Sequence, residues 1–74
     1  MNASDVKKGL RVRTTNLGDT IGLTINTRHL DVRREGVEGV VEGHVPGHGG
    51  DVWFVKHDGT NQVGAYTFTE FEPA

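Results

Sequence analysis

The sequence predicts an all-β fold, and two observations in its second half lead to this prediction. Between Gly36 and Phe71, short runs of alternating apolar and polar residues are separated by turn-forming residues. Asp58-Gly59 separates two of these runs and is typical of a type I′ hairpin turn, because both residue types tolerate the positive φ angles that the turn needs. We therefore expect a small five-stranded antiparallel barrel whose consecutive strands are joined by hairpins.

The alternation also places the strands. Four segments have the pattern of strands, namely Gly9–Thr15, Gly36–Val45, Val52–His57 and Gln62–Phe68. Phe68 and Phe71 have the i, i+3 spacing of a single 3₁₀ turn, which we expect to fold an aromatic side chain under the barrel. Residues 1–8 form a polar lead-in.

The segment 16–35 is too long for an ordinary connection, so it is interpreted as either a long loop or an extra hairpin. Thr20–Thr27 contains enough β-branched residues to form a strand. Arg28–Glu35 fits a helical turn or a loop equally well.

Strand alternation separates the expected core from the expected surface. The Trp53 and Val55 face of its strand is assigned to the interior, because the opposite face ends in Lys56. Phe54 is then an exposed aromatic that either the long loop or a partner covers. Ile21, Leu23 and Ile25 alternate suitably for such a cover. The residues expected inside the barrel are Val12, Val41, Trp53, Val55 and Val63.

Composition limits the protein class. The chain has 74 residues, no cysteine and a net charge of −2, from 8 basic and 10 acidic residues. We expect one domain without disulfides and without a general attraction to nucleic acid or to an anionic membrane. No apolar run reaches membrane-spanning length and the opening residues lack an apolar signal core, so the expected location is the cytoplasm.

Several segments have the order of elements found in small barrels. Gly9-Leu-Arg-Val-Arg13, Gly39-Val-Val-Glu-Gly43, Val52–Gly59 and Tyr66–Glu72 follow one another as strand, long loop, hairpin-linked strands and 3₁₀ turn. This order resembles the SH3-like small barrels, with 16–35 as an enlarged first loop. The resemblance implies a fold rather than a function, since Tudor, KOW, peptide-binding and enzymatic members share this barrel.

One SH3-like family, the plasmid-borne type II dihydrofolate reductases, is similar in detail. Val63-Gly-Ala-Tyr66 lies where that family has Val-Gln-Ile-Tyr lining its active pore, so Val63 and Tyr66 match. Gly64 replaces the glutamine and Ala65 replaces the isoleucine. Thr14 and Thr15 stand where the family has lysines that contact cofactor phosphates. The groups that would contact folate and nicotinamide are therefore missing, and reductase activity does not follow.

The favoured function is a non-enzymatic binding module for a protein or peptide. Aromatic side chains at one end of such a sheet stack on proline, methyl-lysine or a base, and nearby carboxylates favour a cationic partner. Of these aromatics, Trp53 and Phe68 are expected to be core, so Phe54 and Tyr66 are the better contact residues. The expected ligand-binding residues are Phe54, Tyr66, Trp53 and Glu42.

Two other functions stay open. A KOW-type or Tudor-type nucleic-acid module would use the basic residues Lys7, Lys8, Arg11, Arg13, Arg28, Arg33 and Arg34. A homo-oligomer could instead bind a small molecule at its symmetry axis, as the reductase resemblance implies.

Enzymatic, metal and cofactor chemistry are not predicted. Ser4 is the single serine and lies in the lead-in, so a serine nucleophile has no recognisable setting. The glycine-rich stretch 47–50 leads into a strand rather than a helix N-terminus, which argues against a phosphate-binding loop. The four histidines, His29, His44, His48 and His57, do not have a known zinc-site spacing.

Overall fold

The structure is a computed structural model that describes residues 3–18, 25–46 and 51–74. These ranges contain a short helix, α1 (Thr27–Asp31), and 3₁₀ turns at Ala3–Asp5 and Phe68–Glu70. The remaining elements are five strands: β1 (Arg11–Thr14), β2 (Glu38–Val45), β3 (Val52–His57), β4 (Val63–Tyr66) and β5 (Phe71–Pro73). The predicted all-β class and the predicted C-terminal 3₁₀ turn are confirmed.

All five strands form one antiparallel sheet in the order β4-β3-β2-β1-β5. Among the described residues, β4 and β5 are the edges of this sheet and are not paired with each other, so the expected closed barrel is not found. The 3₁₀ turn at Phe68–Glu70 carries the chain directly from one edge strand to the other. Beyond β1, the N–H of Thr15 donates to the carbonyl of Glu70 and extends the pairing with the β5 side.

The fifth strand lies where the sequence predicted none. Phe71–Pro73 is only three residues long and includes a proline, which lacks the N–H of a normal ladder partner. It pairs with β1, with Thr14 opposite Phe71. The other candidate, Thr20–Thr27, falls mainly on residues 19–24, which lie outside the described ranges. At its end, Ile25 and Asn26 lead into α1 rather than a strand.

The β3–β4 hairpin turns at Asp58-Gly59, as predicted, but through a different turn. Gly59 has a φ of 73°, and no residue other than glycine has a positive φ in the described part of the chain. Type I′ is therefore excluded, because it needs positive φ at both central residues. The N–H of Thr60 donates to the carbonyl of His57, so the positive φ falls at the third turn position, as in type II.

Val52 and Ala65 are buried on the outer face of the sheet, but the main apolar cluster lies on its inner face. Val12, Val41, Trp53 and Val55 are buried there, as predicted. Val63 was expected in the interior, and this prediction is wrong. Its side chain is only half-buried, and it pairs with Lys56 on the outer face. The buried apolar cluster consists of Val6, Val12, Val41, Trp53, Val55, Tyr66 and Phe71.

The inner residues of β4 are Gly64 and Tyr66 instead of Val63. A Cβ on Gly64 would lie 2.7 Å from the Tyr66 ring, so the phenol packs directly over the glycine. Two further side chains, Leu10 and Leu17, are partly buried against the cluster.

A β-bulge in β2 changes which side chains face the core. Val41 pairs with Val55, but the next pairs are Gly43 with Phe54 and His44 with Trp53, so Glu42 is the extra residue. Val41 and Val45 would share a face of a regular strand, but the extra residue places them on opposite faces of β2.

The connection between β1 and β2, residues 15–37, packs on the sheet although α1 buries none of its own residues. Nδ1 of His29 lies 2.8 Å from the carbonyl oxygen of Val63 in β4. The His29 ring also contacts Phe54, with 4.9 Å between ring centroids. Phe54 is consequently half-buried under α1. Of the residues expected to cover it, Ile21 and Leu23 lie outside the described ranges.

Candidate binding surface

The structure separates the four predicted ligand-binding residues. Tyr66 and Trp53 are cross-strand neighbours on the inner face and are both buried, so the expectation that Tyr66 is an accessible contact residue is wrong. Phe54 lies half-buried on the outer face, and Glu42 is exposed at the bulge. No single surface therefore contains all four side chains.

An aromatic cluster that the sequence analysis did not single out lies at one end of the sheet. The ring of His44 stacks on Trp53 at 4.6 Å with 10° between the planes. Phe68 contacts the same indole edge-on at 6.4 Å. Phe68 was expected in the core, yet it is 36% exposed and is the one large apolar side chain exposed to this extent in the described ranges. We call His44, Trp53 and Phe68 the aromatic end.

Local structure explains why these three rings meet. The bulge at Glu42 shifts the alternation of β2 by one residue, which brings His44 opposite Trp53. The 3₁₀ turn then carries Phe68 over the indole. Oε1 of Glu70 accepts a hydrogen bond from the N–H of Thr67 at 2.9 Å and thereby fixes the start of this turn.

The rim of the aromatic end carries charge and hydroxyl groups. Nε2 of His44 lies 3.6 Å from a carboxylate oxygen of Asp51, and both side chains are more than 40% exposed. The hydroxyls of Thr67 and Thr69 are 3.1 Å apart on the other side of Phe68. Because an exposed contact such as that of His44 with Asp51 contributes little to stability, both side chains are free to contact a partner instead.

A depression of about 590 Å³ lies on the outer face, between β2, β3 and the turn that joins β3 to β4. Glu42, Lys56 and Asp58 line it with the apolar Val40 between them. Asp58 is engaged, since its carboxylate accepts a hydrogen bond from Arg11 at 2.5 Å. That carboxylate raises the pKa of Arg11 above its ordinary value, first through the hydrogen bond and then through its charge. Glu42 is thus separated from the aromatic rings with which it was predicted to act.

Beneath these surfaces, buried polar side chains hold the connection to the sheet. The guanidinium of Arg33 pairs with the carboxylate of Glu70, and both side chains are almost fully buried. Oε2 of Glu70 also accepts from the N–H of Gly18 at 2.5 Å. Arg33 lies 5.5 Å from the centre of the Tyr66 ring, within cation–π range.

A second buried group of contacts meets at the hydroxyl of Tyr66. Nε2 of His57 is 2.7 Å from the hydroxyl of Tyr66, which accepts from the N–H of Arg34 at 3.0 Å. Burial is the largest cause that lowers the pKa of His57 and the largest that raises the pKa of Tyr66. His57 and Tyr66 have the chemistry of an acid and a base, but neither is accessible to a substrate.

Each of the three described histidines contacts a different aromatic side chain. His29 contacts Phe54, His44 stacks on Trp53, and His57 bonds to Tyr66. Within the described ranges, no three histidine or carboxylate side chains converge as metal ligands. His48 lies outside those ranges, so the structure gives the positions of three of the four histidines.

The basic residues do not form one free surface. Arg11 pairs with Asp58, and Arg33 is buried against Glu70. Arg13 lies between Glu38 and Glu72 as its cross-strand neighbours on β2 and β5. Carboxylates thus accompany three of the seven cations that a nucleic-acid module would use.

Comparison with known proteins adds no further constraint. No protein family, curated protein or solved structure matches the chain. In the described ranges, no helix is both long and apolar enough to cross a membrane.

Proposed function

We propose that this chain is a small non-enzymatic binding module of the SH3-like barrel type, and that its ligand is a peptide segment of a protein partner. The ligand contacts the aromatic end through the exposed faces of Phe68 and His44. The observation that carries the proposal is the exposure of Phe68 beside two further rings, because aromatic side chains that remain accessible and contiguous are enriched in interfaces.

The order of the strands supports the SH3-like part of the proposal. β5 pairs with β1, and β1 to β4 follow one another across the sheet. The long connection comes after β1 and the 3₁₀ turn follows β4, which is the order expected from the family resemblance. The aromatic end then lies beside the 3₁₀ turn, where β2 ends and β3 begins.

The chemistry of the surface supports a peptide as ligand. An extended peptide offers apolar side chains that pack on the rings of Phe68 and His44, and backbone groups that pair with the nearby threonine hydroxyls. Asp51 at the rim favours a peptide with a basic residue. The indole of Trp53 supports the surface from below and contributes rigidity rather than direct contact.

Two alternatives receive less support. Nucleic-acid binding depends on cations that reach phosphate, and Arg11, Arg13 and Arg33 are each accompanied by carboxylates. A homo-oligomer around Phe54 is disfavoured, because His29 of the same chain already contacts that ring.

The test is a selection of peptides from a random displayed library on the immobilised wild-type protein, followed by titration of the enriched peptides. Phe68→Ser should weaken their binding at least tenfold, since it removes the apolar contact (tenfold corresponds to about 1.4 kcal/mol). Lys56→Ala, an exposed substitution on the outer face, is the matched control and should leave the affinity unchanged.

Salt dependence separates the alternatives. Peptide affinity that changes less than twofold between 0.1 and 0.5 M salt, values chosen to screen exposed charges, fits the aromatic surface. Equal binding by wild type and Phe68→Ser, with both proteins folded by circular dichroism, would refute the proposed site.

A further inference from the structure

His57 and Tyr66 form a buried bridge from the sheet to the connection. The His57 and Tyr66 residues are 2% and 0% exposed, and Nε2 of His57 lies 2.7 Å from the Tyr66 hydroxyl. The same hydroxyl accepts a hydrogen bond from the N–H of Arg34 at 3.0 Å. One phenol oxygen thus joins β3 and β4 to the backbone of the connection.

The distances determine where the protons lie when His57 is neutral. The hydrogen of the Tyr66 hydroxyl can point to Nε2 of His57 at 2.7 Å or to the Arg34 carbonyl at 3.5 Å. The shorter contact is the stronger hydrogen bond. The Arg34 carbonyl already accepts from the hydroxyl of Thr14 at 2.6 Å. Neutral His57 is therefore an acceptor at Nε2, and every group in the bridge has a partner.

Protonation of His57 would reverse this arrangement. A hydrogen on Nε2 makes it a donor, so the phenol oxygen would face two N–H donors, from His57 and from Arg34. The phenol hydrogen would then have to use the distant Arg34 carbonyl. Burial lowers the pKa of His57 below its ordinary value of 6.5, the hydrogen bond with Gln62 raises it, and the charge of Arg34 lowers it.

The other charged groups near the bridge do not offset this reversal. Arg33 lies over the Tyr66 ring, and its charge is matched by Glu70. Asp58 follows His57 in the chain but pairs with Arg11.

His29 is another titratable group that holds the connection to the sheet. Its Nδ1 faces the Val63 carbonyl, which only accepts hydrogen bonds, so this nitrogen carries a hydrogen whether the ring is neutral or charged. The contact of His29 with β4 therefore survives protonation, whereas the arrangement at His57 does not.

We propose that His57 is a proton-sensitive lock on the connection, which opens when His57 binds a proton. Loss of the Tyr66–Arg34 hydrogen bond frees the backbone after α1. At acidic pH the backbone around Arg34 then loosens, while the contact of His29 with the Val63 carbonyl keeps α1 on β4 and over Phe54.

The direction of the pH effect follows from the lowered pKa. The folded state binds the His57 proton less readily than the unfolded state does, so the bridge stabilises the protein fully above pH 6.5, the ordinary histidine value. This stabilisation is lost progressively as the pH falls through 6.5 toward the lowered pKa of the folded state.

The test is NMR on the ¹⁵N-labelled protein through the titration of His57, which measures the amide protection of Arg34 and of β3 at each pH. Protection of Arg34, corrected for intrinsic exchange, should fall at least tenfold as His57 protonates, while β3 stays protected. In His57→Gln this pH response should disappear. The matched control His29→Gln should keep it.

Two results would overturn the proposal. One is unchanged protection of Arg34 across the His57 titration, or the same loss in His57→Gln as in the wild type. The other is available even if the variant does not fold: the ring ¹⁵N shifts of wild-type His57 at pH 7.5 should show Nε2 without a hydrogen. A hydrogen on Nε2 at that pH would contradict the proton arrangement on which the lock depends.

Discussion

The strands β2 to β4 and the connection 15–37 are held in place by different kinds of interaction. The strands are joined by two hairpin ladders and bury Val41, Trp53 and Val55. In the connection, α1 buries none of its residues and Leu17 packs only partly against the core. Hydrogen bonds between the backbone of Arg34 and the side chains of Thr14 and Tyr66, and the ion pair of Arg33 with Glu70, hold it in place. The stabilisation from apolar burial does not depend on the direction of a contact, whereas a hydrogen bond needs a donor and an acceptor at a particular distance and angle. The two regions should therefore respond to different substitutions.

The largest effect is expected at the buried ion pair between Arg33 of the connection and Glu70 of the 3₁₀ turn that precedes β5. Glu70→Gln leaves the buried guanidinium of Arg33 without a counter-charge, and removing one partner of such a pair costs about 3–5 kcal/mol. Urea unfolding followed by circular dichroism measures the loss. The double variant Arg33→Met with Glu70→Gln is the control, and it should recover part of the stability because no charge is left buried. A loss below about 1 kcal/mol in the single variant would mean that the pair is solvated.

A smaller effect is expected in the middle of the strands. Val55 is fully buried, so Val55→Ala should cost about 2 kcal/mol through lost burial and the cavity that remains. The loss should lower the melting temperature of the whole domain while the Arg34 contact with Tyr66 persists below the transition. If Val55→Ala releases the connection and leaves the strands unchanged, the division between the two regions is wrong.

The smallest of these effects is expected where α1 covers the sheet. Phe54 is half-buried against His29, so Phe54→Ser should cost about 1 kcal/mol through its partial burial. Light scattering should give the same mass for the variant and the wild type, because a residue of the same chain covers Phe54. A folded variant of lower mass would instead identify Phe54 as an oligomer contact.

The sequence predicted the strand region well, because alternation and turn chemistry are local signals. Val52–His57 was predicted with the bounds it has in the structure, and the turn at Asp58-Gly59 lies where it was expected. The missed strand, Phe71–Pro73, is too short to show alternation. The bulge at Glu42 was also missed, since one extra residue is visible only in the pairing with β3.

The candidate site was predicted less well, because its residues depend on distant contacts. Tyr66 turns inward since His57 and Arg34 bond its hydroxyl, and Arg34 is 32 positions away in the chain. A local signal did exist, because Gly64 lies two residues earlier on the same face and leaves room for the ring. Phe68 is exposed because the 3₁₀ turn directs Phe71, rather than Phe68, into the core.

The central claim, that polar contacts hold the connection independently of the apolar core, is tested most directly by native-state hydrogen exchange on Thr14→Val. The hydroxyl of Thr14 donates to the Arg34 carbonyl and accepts from the N–H of Val37, and valine keeps its shape without these bonds. The amide of Arg34, which Thr14 does not itself bond, should lose protection in this variant, while the amides of β3 keep theirs. Equal loss at Arg34 and across β3, or no loss at Arg34, would contradict the claim.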